Sequence, residues 1–393
     1  MIRKQLQFTI VLFILASVVG CHRQKLEEIV YTKALLPVLI DWETGALLDV
    51  DNDPDENLYS SSVWLFPRAG SKYQGAPLEY RLGNAVYDYL DVPIGVYDVL
   101  VFNKTVGEYS ENVGFRGTDK FDTFEYYTEP YLSSISKSVE IDGLELRCEP
   151  DLLAVWRSSD DKPLEVTYEM IMRIDDIIRC RDNIATKYLK DIKAVSLSVA
   201  SKNISPDEFN ELDEDMSQLV NLVPERLTHI VPTRMYVNNI HSAKLAIGVL
   251  KGMSSSVKLA SAEYSTTQTA YRFSFTSKTF TDDEKKNGYM DAEYRIIGPL
   301  SEDSNADYEL QSSFTLFNYE SDEDLVYPEP PADSFKFNVN SQIKSGREAM
   351  GLDKVIPVEI DEDENVTLPD IALPGGGFDV DLNDWDDEID VPI

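Results

Sequence analysis

The sequence has little of what most enzymes and metalloproteins use. Its 393 residues include three cysteines and three histidines, and the first histidine, His22, directly follows Cys21. Only two histidines then remain for a zinc site or a catalytic relay. The sequence also lacks a Gly-x-Ser-x-Gly elbow, a phosphate-binding glycine loop and a dinucleotide fingerprint. We therefore expect a protein that is not an enzyme and that needs no cofactor.

Positive charge is scarce as well. The chain has 36 basic and 70 acidic residues, a formal net charge of -34. Such a charge repels nucleic-acid phosphates and anionic lipid, so we expect no nucleic-acid partner and no electrostatic docking on a membrane. Among 70 acidic residues some carboxylate pair is inevitable, so such a pair does not indicate glycoside hydrolysis.

Long apolar runs are missing after the N-terminus, but the first 20 residues have the pattern of a signal peptide. Arg3 and Lys4 precede an apolar run from Phe8 to Val19, and Gly20 precedes Cys21. A small residue before a cysteine is typical of bacterial lipoproteins, in which the cysteine carries the lipid. The prediction is a signal peptide at 1–20 and lipid on Cys21. An ordinary secretory signal or a short uncleaved anchor remains the alternative.

The two other cysteines are Cys148 and Cys180. An oxidising compartment would permit a disulfide between them. Two buried free thiols are the alternative, because the sequence does not supply the Cα separation that a disulfide needs.

The body of the chain shows many short apolar or alternating segments separated by turn residues. After a polar leader at 21–33, the clearest segment is Val96–Asn103, which is apolar on both faces except for Asp98 and so predicts a central strand. Gly83-Asn84 predicts a hairpin between 78–82 and 85–90. Further strands are predicted at 34–42, 62–67, 121–127, 136–146, 166–174, 195–199, 244–250, 270–275, 293–297, 308–318, 335–340 and 355–360.

This pattern favours an all-β fold of two antiparallel β-sandwich domains, at 34–158 and 159–393. The boundary is placed in the polar stretch that follows Trp156. One short helical insertion is predicted from Ser205 to about Leu222, because Ser205-Pro206-Asp207-Glu208 has capping-box spacing.

Two acidic segments have oxygen-bearing residues at the spacing of a calcium loop. Asp379, Asp381, Asn383 and Asp390 occupy positions 1, 3, 5 and 12, but Asp384 stands where the loop needs glycine. Residues 51–57 have similar spacing and also lack that glycine. A solvated acidic strand edge explains both segments better, so no metal site is predicted. The run 361–365 is interpreted as a charged turn.

Several motifs together resemble a family of fimbrillin-like lipoproteins of Bacteroidetes-type Gram-negative bacteria. They are Asp41-Trp42, Trp64–Pro67, Val92–Asn103, Phe115–Thr128, Pro374–Phe378, Trp385 and Ile389–Pro392. Residues 175–221 fit the resemblance poorly. The resemblance implies two transthyretin-like or Ig-like sandwiches, and kinship with anchor and accessory proteins of fimbriae assembled by strand exchange. It carries over no catalytic residue.

Two functions follow as hypotheses. The first is a lipid-anchored protein of the outer membrane and cell surface that is structural or adhesive, of the fimbrial anchor or accessory type. Its partners would be the membrane, through the lipid, and fimbrial subunits, through strand exchange. The alternative is a glycan-binding surface lipoprotein of a nutrient-uptake system, in which some of the 21 tyrosines would stack on sugars or meet a host surface. An exposed aromatic cluster would favour the glycan, and an unpaired strand edge would favour the fimbrial role.

Overall fold

The computed structural model describes residues 33–46, 60–82, 87–132, 138–167, 219, 222–300, 306–317, 325–327 and 334–371. Within these ranges strands are the main regular structure and only two α-helices occur, which confirms the all-β prediction. The strands are β1 Lys33–Leu39, β2 Ser61–Pro67, β3 Leu78–Arg81, β4 Tyr87–Pro93, β5 Gly95–Asn103, β6 Val113–Arg116, β7 Glu125–Thr128, β8 Glu140–Ile141, β9 Leu144–Arg147, β10 Ala154–Arg157, β11 Leu164–Val166, β12 Glu225–Arg226, β13 His229–Asn238, β14 Ala243–Ser254, β15 Ser256–Lys258, β16 Gln268–Ser274, β17 Ser277–Phe280, β18 Asn287–Ile296, β19 Glu309–Leu316, β20 Leu325–Tyr327, β21 Phe335–Asn338, β22 Val358–Ile360 and β23 Val366–Thr367. The α-helices are α1 Trp42–Ala46 and α2 Asn340–Ala349.

The first sandwich packs a two-stranded layer against a six-stranded sheet. The thin layer is the antiparallel pair β1–β4, and the sheet has the order β12-β10-β5-β2-β3, with β11 also paired to β5. Alternate residues of both layers point inward, as the period of a strand requires. The shared core includes Ala34, Leu36, Val38, Leu90, Val92, Val63, Leu65, Tyr97, Val99 and Val101.

Strand β5 is central, as predicted. It pairs with β2 on one side and with β10 and β11 on the other. Tyr97, Val99 and Val101 enter the first core, whereas Leu100 and Phe102 enter a second core on the opposite face. Gly95, the first residue of β5, packs closely against Ser71, because a Cβ there would lie 2.5 Å from Ser71 Oγ.

The opposite face of β5 is covered by a third layer, the small sheet β15-β7-β6. Aromatic rings fill this second core. Phe124 meets the rings of Trp64, Phe66 and Phe102 edge-on, with centroids 5.0, 5.9 and 5.9 Å away. The sequence-based assignment of Trp64 and Phe102 to a core is therefore confirmed.

The second sandwich packs a five-stranded sheet against a seven-stranded one. The first has the order β17-β18-β13-β22, with β23 also paired to β13, and the second has the order β20-β19-β14-β16-β9-β8, with β21 also paired to β19. Their inner faces share one core that includes Val231, Met235, Val237, Leu250, Tyr271, Phe273, Met290, Tyr294, Leu310 and Phe314. Most pairs are antiparallel, but β22 and β23 run parallel to β13, and β9 runs parallel to β16.

The sequence analysis did not predict β13, although this ten-residue strand is central in its sheet. Pro232 lies in its middle, and proline cannot donate to a ladder. The amide of Ile230 donates to Lys354 O, at 3.0 Å, on the β22 side. Pro232 lies two residues later, so its backbone nitrogen faces the β22 side as well. The continuous pairing of β13 with β22 begins only at Thr233. The missing donor therefore falls in a gap of the ladder.

Four local predictions are wrong. The predicted strand 121–127 begins with a 3₁₀-helix, Phe121–Thr123, and the predicted strand 136–146 contains two separate strands, β8 and β9. The 78–82 and 85–90 segments do not form a hairpin, because β3 pairs with β2 and β4 pairs with β1. These strands belong to layers that face each other across the core. The first strand ends at Leu39 instead of reaching Trp42. Asp41 Oδ1 accepts the amide hydrogen of Thr44, at 2.9 Å, and so caps α1.

The predicted helical insertion lies outside the described residues, apart from its last part, where Leu222 forms a parallel bridge with Ile40. The predicted boundary between 158 and 159 stays a prediction. Four pairings join strands from its two sides: β5 with β11, β10 with β12, β7 with β15 and β9 with β16. Among the described helices, none has the length and apolar character needed to cross a membrane.

Candidate functional site

A polar pocket of about 340 Å³ lies where the end of β5 meets β18 of the second sandwich. The segment 149–152, which precedes β10, forms one wall, and the loop before β6 contributes another. The lining residues are Asn103, Lys104, Asn112, Glu149, Pro150, Asp151, Leu152 and Arg295. Its volume falls in the lower part of the range of small-molecule sites, which is about 300–1,000 Å³.

The buried side chain of Asn103 fixes one wall of the pocket. Its amide nitrogen donates to Leu152 O at 2.9 Å, and its Oδ1 accepts the amide hydrogen of Ala154 at 2.7 Å. These bonds attach the end of β5 to the segment that carries Glu149 and Asp151. Lys104 follows with φ of 64°, a left-handed conformation that turns the chain at the pocket.

Asp151 and Lys104 form the paired half of the pocket. The Asp151 carboxylate accepts the backbone amide of Ser110 at 2.9 Å and its hydroxyl at 2.6 Å. Lys104 Nζ lies 3.7 Å from the same carboxylate. The Tyr126 hydroxyl donates to Asp151 O at 2.9 Å. Asp151 is therefore held in place and has its charge partly compensated.

Arg295 and Glu149 form the other half. Glu149 Oε1 accepts the backbone amide of Arg295 at 2.8 Å. The surrounding protein raises the pKa of the Glu149 carboxyl by desolvation, although the nearby Arg295 charge opposes this shift. The residue still reaches solvent. The Nε of Arg295 is buried and has no hydrogen-bond partner among the described residues. The Arg295 guanidinium and the Glu149 carboxylate thus line one pocket without forming an ion pair with each other within the described residues.

The chemistry of this lining suits a polar ligand of mixed charge. It offers one guanidinium, one ammonium, two carboxylates and two amides, and none of the lining side chains is aromatic. In the part of the chain that the structure describes, no group of three His, Cys, Asp or Glu residues is arranged to hold a metal ion.

Most of the sites predicted from sequence lie outside the described residues. These are Cys21, Cys180, the calcium candidates Asp379, Asp381, Asn383 and Asp390, and the acidic run 51–57. Cys148 is half-buried, and desolvation raises the pKa of its thiol. A disulfide between Cys148 and Cys180 stays a prediction. At 361–365, Asp361 Oδ1 accepts the amide of Asp363 at 2.9 Å, as in an ordinary charged turn.

Sequence reasoning missed the pocket because its residues come from distant segments. Lys104 and Arg295 are each unremarkable among 36 basic residues. The one local signal is Cys148-Glu149-Pro150-Asp151, where two acids flank a proline directly after a strand.

Comparison with solved structures shows the fold. A candidate adhesin from Bacteroides ovatus is 13% identical, with a TM-score of 0.50, and the match covers 88% of this chain and 95% of that one. A candidate adhesin from Bacteroides thetaiotaomicron is 6% identical, with a TM-score of 0.44 and coverage of 85% and 93%. The fimbrial anchor protein Mfa2 from Porphyromonas gingivalis is 10% identical, with a TM-score of 0.38 and coverage of 83% and 89%.

No curated protein matches the sequence. The match to a family model is extensive, since it spans residues 20–274, more than half of the chain. The predicted resemblance to fimbrillin-like proteins is confirmed at the level of fold. The chain belongs to the family described as a domain of unknown function, DUF5119.

Proposed function

We propose that this protein is a lipid-anchored component of the outer membrane, displayed at the cell surface, with a structural or adhesive role as a fimbrial anchor or accessory protein. The observation that carries the proposal is the likeness of this fold to that of a candidate adhesin, in a match that covers 88% of this chain and 95% of that one. The fold alone assigns no function, so features of this chain must support the rest.

The first supporting feature is the N-terminal sequence. Arg3 and Lys4, the apolar run that follows, and Gly20-Cys21 form the pattern of a lipoprotein signal. Acyl chains on Cys21 would hold the acidic body at a bilayer without any electrostatic attraction to lipid. The leader 24–28, with one lysine and two glutamates, resembles the signal that directs such lipoproteins to the outer face of the outer membrane.

The second supporting feature is the outer edge of β4. The β1–β4 layer has two strands, and within the described residues β4 pairs with β1 alone. The backbone amide of Leu39 donates to Leu219 O, on the side of β1 that lies away from β4. Because backbone groups alternate in direction along a strand, those of Leu39 and of every second residue before it point away from β4. The register then directs the backbone of Leu90 toward β1 and that of Tyr89 outward.

Two tyrosines occupy one end of this edge. The Tyr80 hydroxyl donates to Asp91 O at 2.8 Å, and the Tyr97 hydroxyl donates to Pro93 O at 2.8 Å. Both hydroxyls come from the facing sheet. The remaining outward groups, on Tyr87 and Tyr89, are where we propose that a strand of a fimbrial subunit adds to the layer.

The anchor is tested with Cys21→Ser. The expected result is a larger, unprocessed precursor that no longer incorporates labelled palmitate, and continued labelling would contradict lipidation at Cys21. Cys148→Ser is the matched control and should label normally. Protease treatment of intact cells then tests surface display, because a protein spared by the protease would face the periplasm.

The fimbrial role is tested by chemical crosslinking on intact cells. A crosslinked product with fimbrial subunits is expected for the wild-type protein. The glycan-binding alternative predicts retention on immobilised polysaccharide instead. The described pocket favours that alternative less, because its lining offers no aromatic ring on which a sugar could stack.

A further inference from the structure

The pocket between β5 and β18 contains one cation that forms no ion pair within the described residues. Of the two cations in the lining, Lys104 has a carboxylate partner in Asp151, 3.7 Å away. Arg295 has none within the described residues, and its Nε is buried without a hydrogen bond. A buried donor without a partner is costly, and a guanidinium is suited to bind a carboxylate through two hydrogen bonds.

The acid beside Arg295 has unused capacity as well. Glu149 receives a hydrogen bond from the Arg295 backbone amide, and no side-chain hydrogen bond contributes to its pKa. Glu149 and Arg295 both line the pocket, and no ion pair joins their side chains within the described residues, although the Arg295 charge opposes the raised pKa of Glu149. A cation that reached Glu149 from the pocket would favour the charged form of the carboxylate.

We propose that this pocket binds a small zwitterion of the amino-acid type, with the ligand carboxylate on the Arg295 guanidinium and the ligand ammonium on the Glu149 carboxylate. A simple anion would leave Glu149 as a repelling neighbour, and a simple cation would leave Arg295 unpaired. A ligand with both charges satisfies both residues, while Asp151 and Lys104 continue to neutralise each other. The proposal is independent of the fimbrial role.

The experiment measures binding to the full chain, purified in detergent, by isothermal titration calorimetry and saturation-transfer NMR. The probes are L-alanine and 4-aminobutyrate, which differ in the spacing of their charges. Propionate and ethylamine are the matched controls, since each keeps one charge of L-alanine. At least one zwitterion should bind tenfold or more tightly than both controls, a difference of about 1.4 kcal/mol. Propionate that binds as tightly as the zwitterions would overturn the proposal, as would the absence of any zwitterion binding.

Variants connect the binding to the two residues. Arg295→Gln and Glu149→Gln should each weaken zwitterion binding at least tenfold. Glu149 is exposed to solvent, so Glu149→Gln tests the proposal even if Arg295→Gln fails to fold. Arg234→Gln is the control, because Arg234 lies on the same sheet outside the pocket and pairs with Asp291 at 2.6 Å. Unchanged binding by Glu149→Gln would overturn the assignment.

Discussion

Arg68 holds Asp98, the one acidic side chain on the central strand β5, by two hydrogen bonds to the same carboxylate oxygen. Arg68 Nε lies 2.7 Å and Nη2 lies 2.5 Å from Asp98 Oδ1. Both side chains are largely shielded, with 28% and 18% of their areas exposed. The carboxylate raises the pKa of Arg68. A polar residue in an otherwise apolar strand thus has its partner at the end of the neighbouring strand.

Removing this partner should destabilise the first sandwich. Arg68→Met keeps much of the side-chain volume but leaves Asp98 shielded without its cation, which should cost about 1–3 kcal/mol. The measurement is the urea midpoint of unfolding. Arg81→Met is the control, because the ion pair of Arg81 with Glu108 is exposed at Arg81 and should be worth about 1 kcal/mol or less. Equal midpoints for both variants would contradict this prediction.

The two-sided burial of β5 predicts a large effect of truncating its side chains. Leu100 and Phe102 are both fully buried, so Leu100→Ala or Phe102→Ala should cost about 2–5 kcal/mol through the cavity left behind. Leu132→Ala provides the control, because Leu132 is 52% exposed and should change stability by about 0.5 kcal/mol or less. Urea unfolding followed by tryptophan fluorescence reports both. A core variant that unfolds like the control would place β5 at an edge.

His229 makes stability depend on pH in the acid range. Its ring is buried, and Nδ1 donates to Ile297 O at 2.9 Å, which fixes the neutral tautomer. Burial lowers the pKa of His229 to about 4, from an ordinary value of 6.5. The unfolded chain therefore binds the proton first. Stability from this group is complete above about pH 6.5, is lost as the pH falls toward 4, and totals about 3 kcal/mol.

The measurement is the free energy of unfolding at several pH values between 7 and 4. His229→Gln should show a shallower loss, since glutamine has no proton to gain, whereas carboxylates elsewhere contribute equally to both proteins. His241→Gln is the control, because His241 pairs with the exposed Asp370. Parallel curves for wild type and His229→Gln would refute this origin of the pH dependence.

The alternation of backbone groups along β4 predicts opposite effects of two adjacent prolines. Tyr89→Pro removes an outward donor and should leave the melting temperature close to that of wild type, since edge strands accept proline there. It should nevertheless reduce crosslinking to fimbrial subunits. Leu90→Pro removes a donor to β1 and should unfold the layer, at a cost of about 3 kcal/mol or more. Normal crosslinking by a folded Tyr89→Pro protein would exclude this edge as the strand acceptor.

Local patterns in the sequence predict single strands well and their neighbours poorly. Val96–Asn103 was identified as central because both of its faces are apolar, which is a property of the strand itself. The predicted hairpin at Gly83-Asn84 is wrong because a turn motif does not determine which layer each flanking strand joins. Strand β13 is absent from the sequence-based prediction. Pro232 argues against a central strand there, and the gap in the ladder that accommodates this proline depends on residues 354–358.

The candidate pocket illustrates the same limit. Glu149 and Arg295 are separated by 146 residues, and the bond between them is to a backbone amide that has no sequence signature. The sequence has 70 acidic residues, so no local pattern distinguishes Glu149 and Asp151 from the others. The lipid-attachment prediction at Cys21, in contrast, rests on contiguous residues and needs no tertiary information.

The parallel pairing of β9 with β16 has a consequence for how the chain folds during synthesis. Thr269 Oγ1 donates to Glu145 O across 124 residues. Strand β7 likewise pairs with β15, which is synthesised much later. At about 5–20 residues per second, β7 and β9 remain without these partners for roughly 6–25 s. Contacts of such sequence separation also slow folding itself. During that time β7 and β9 expose backbone groups that their later partners cover in the folded protein.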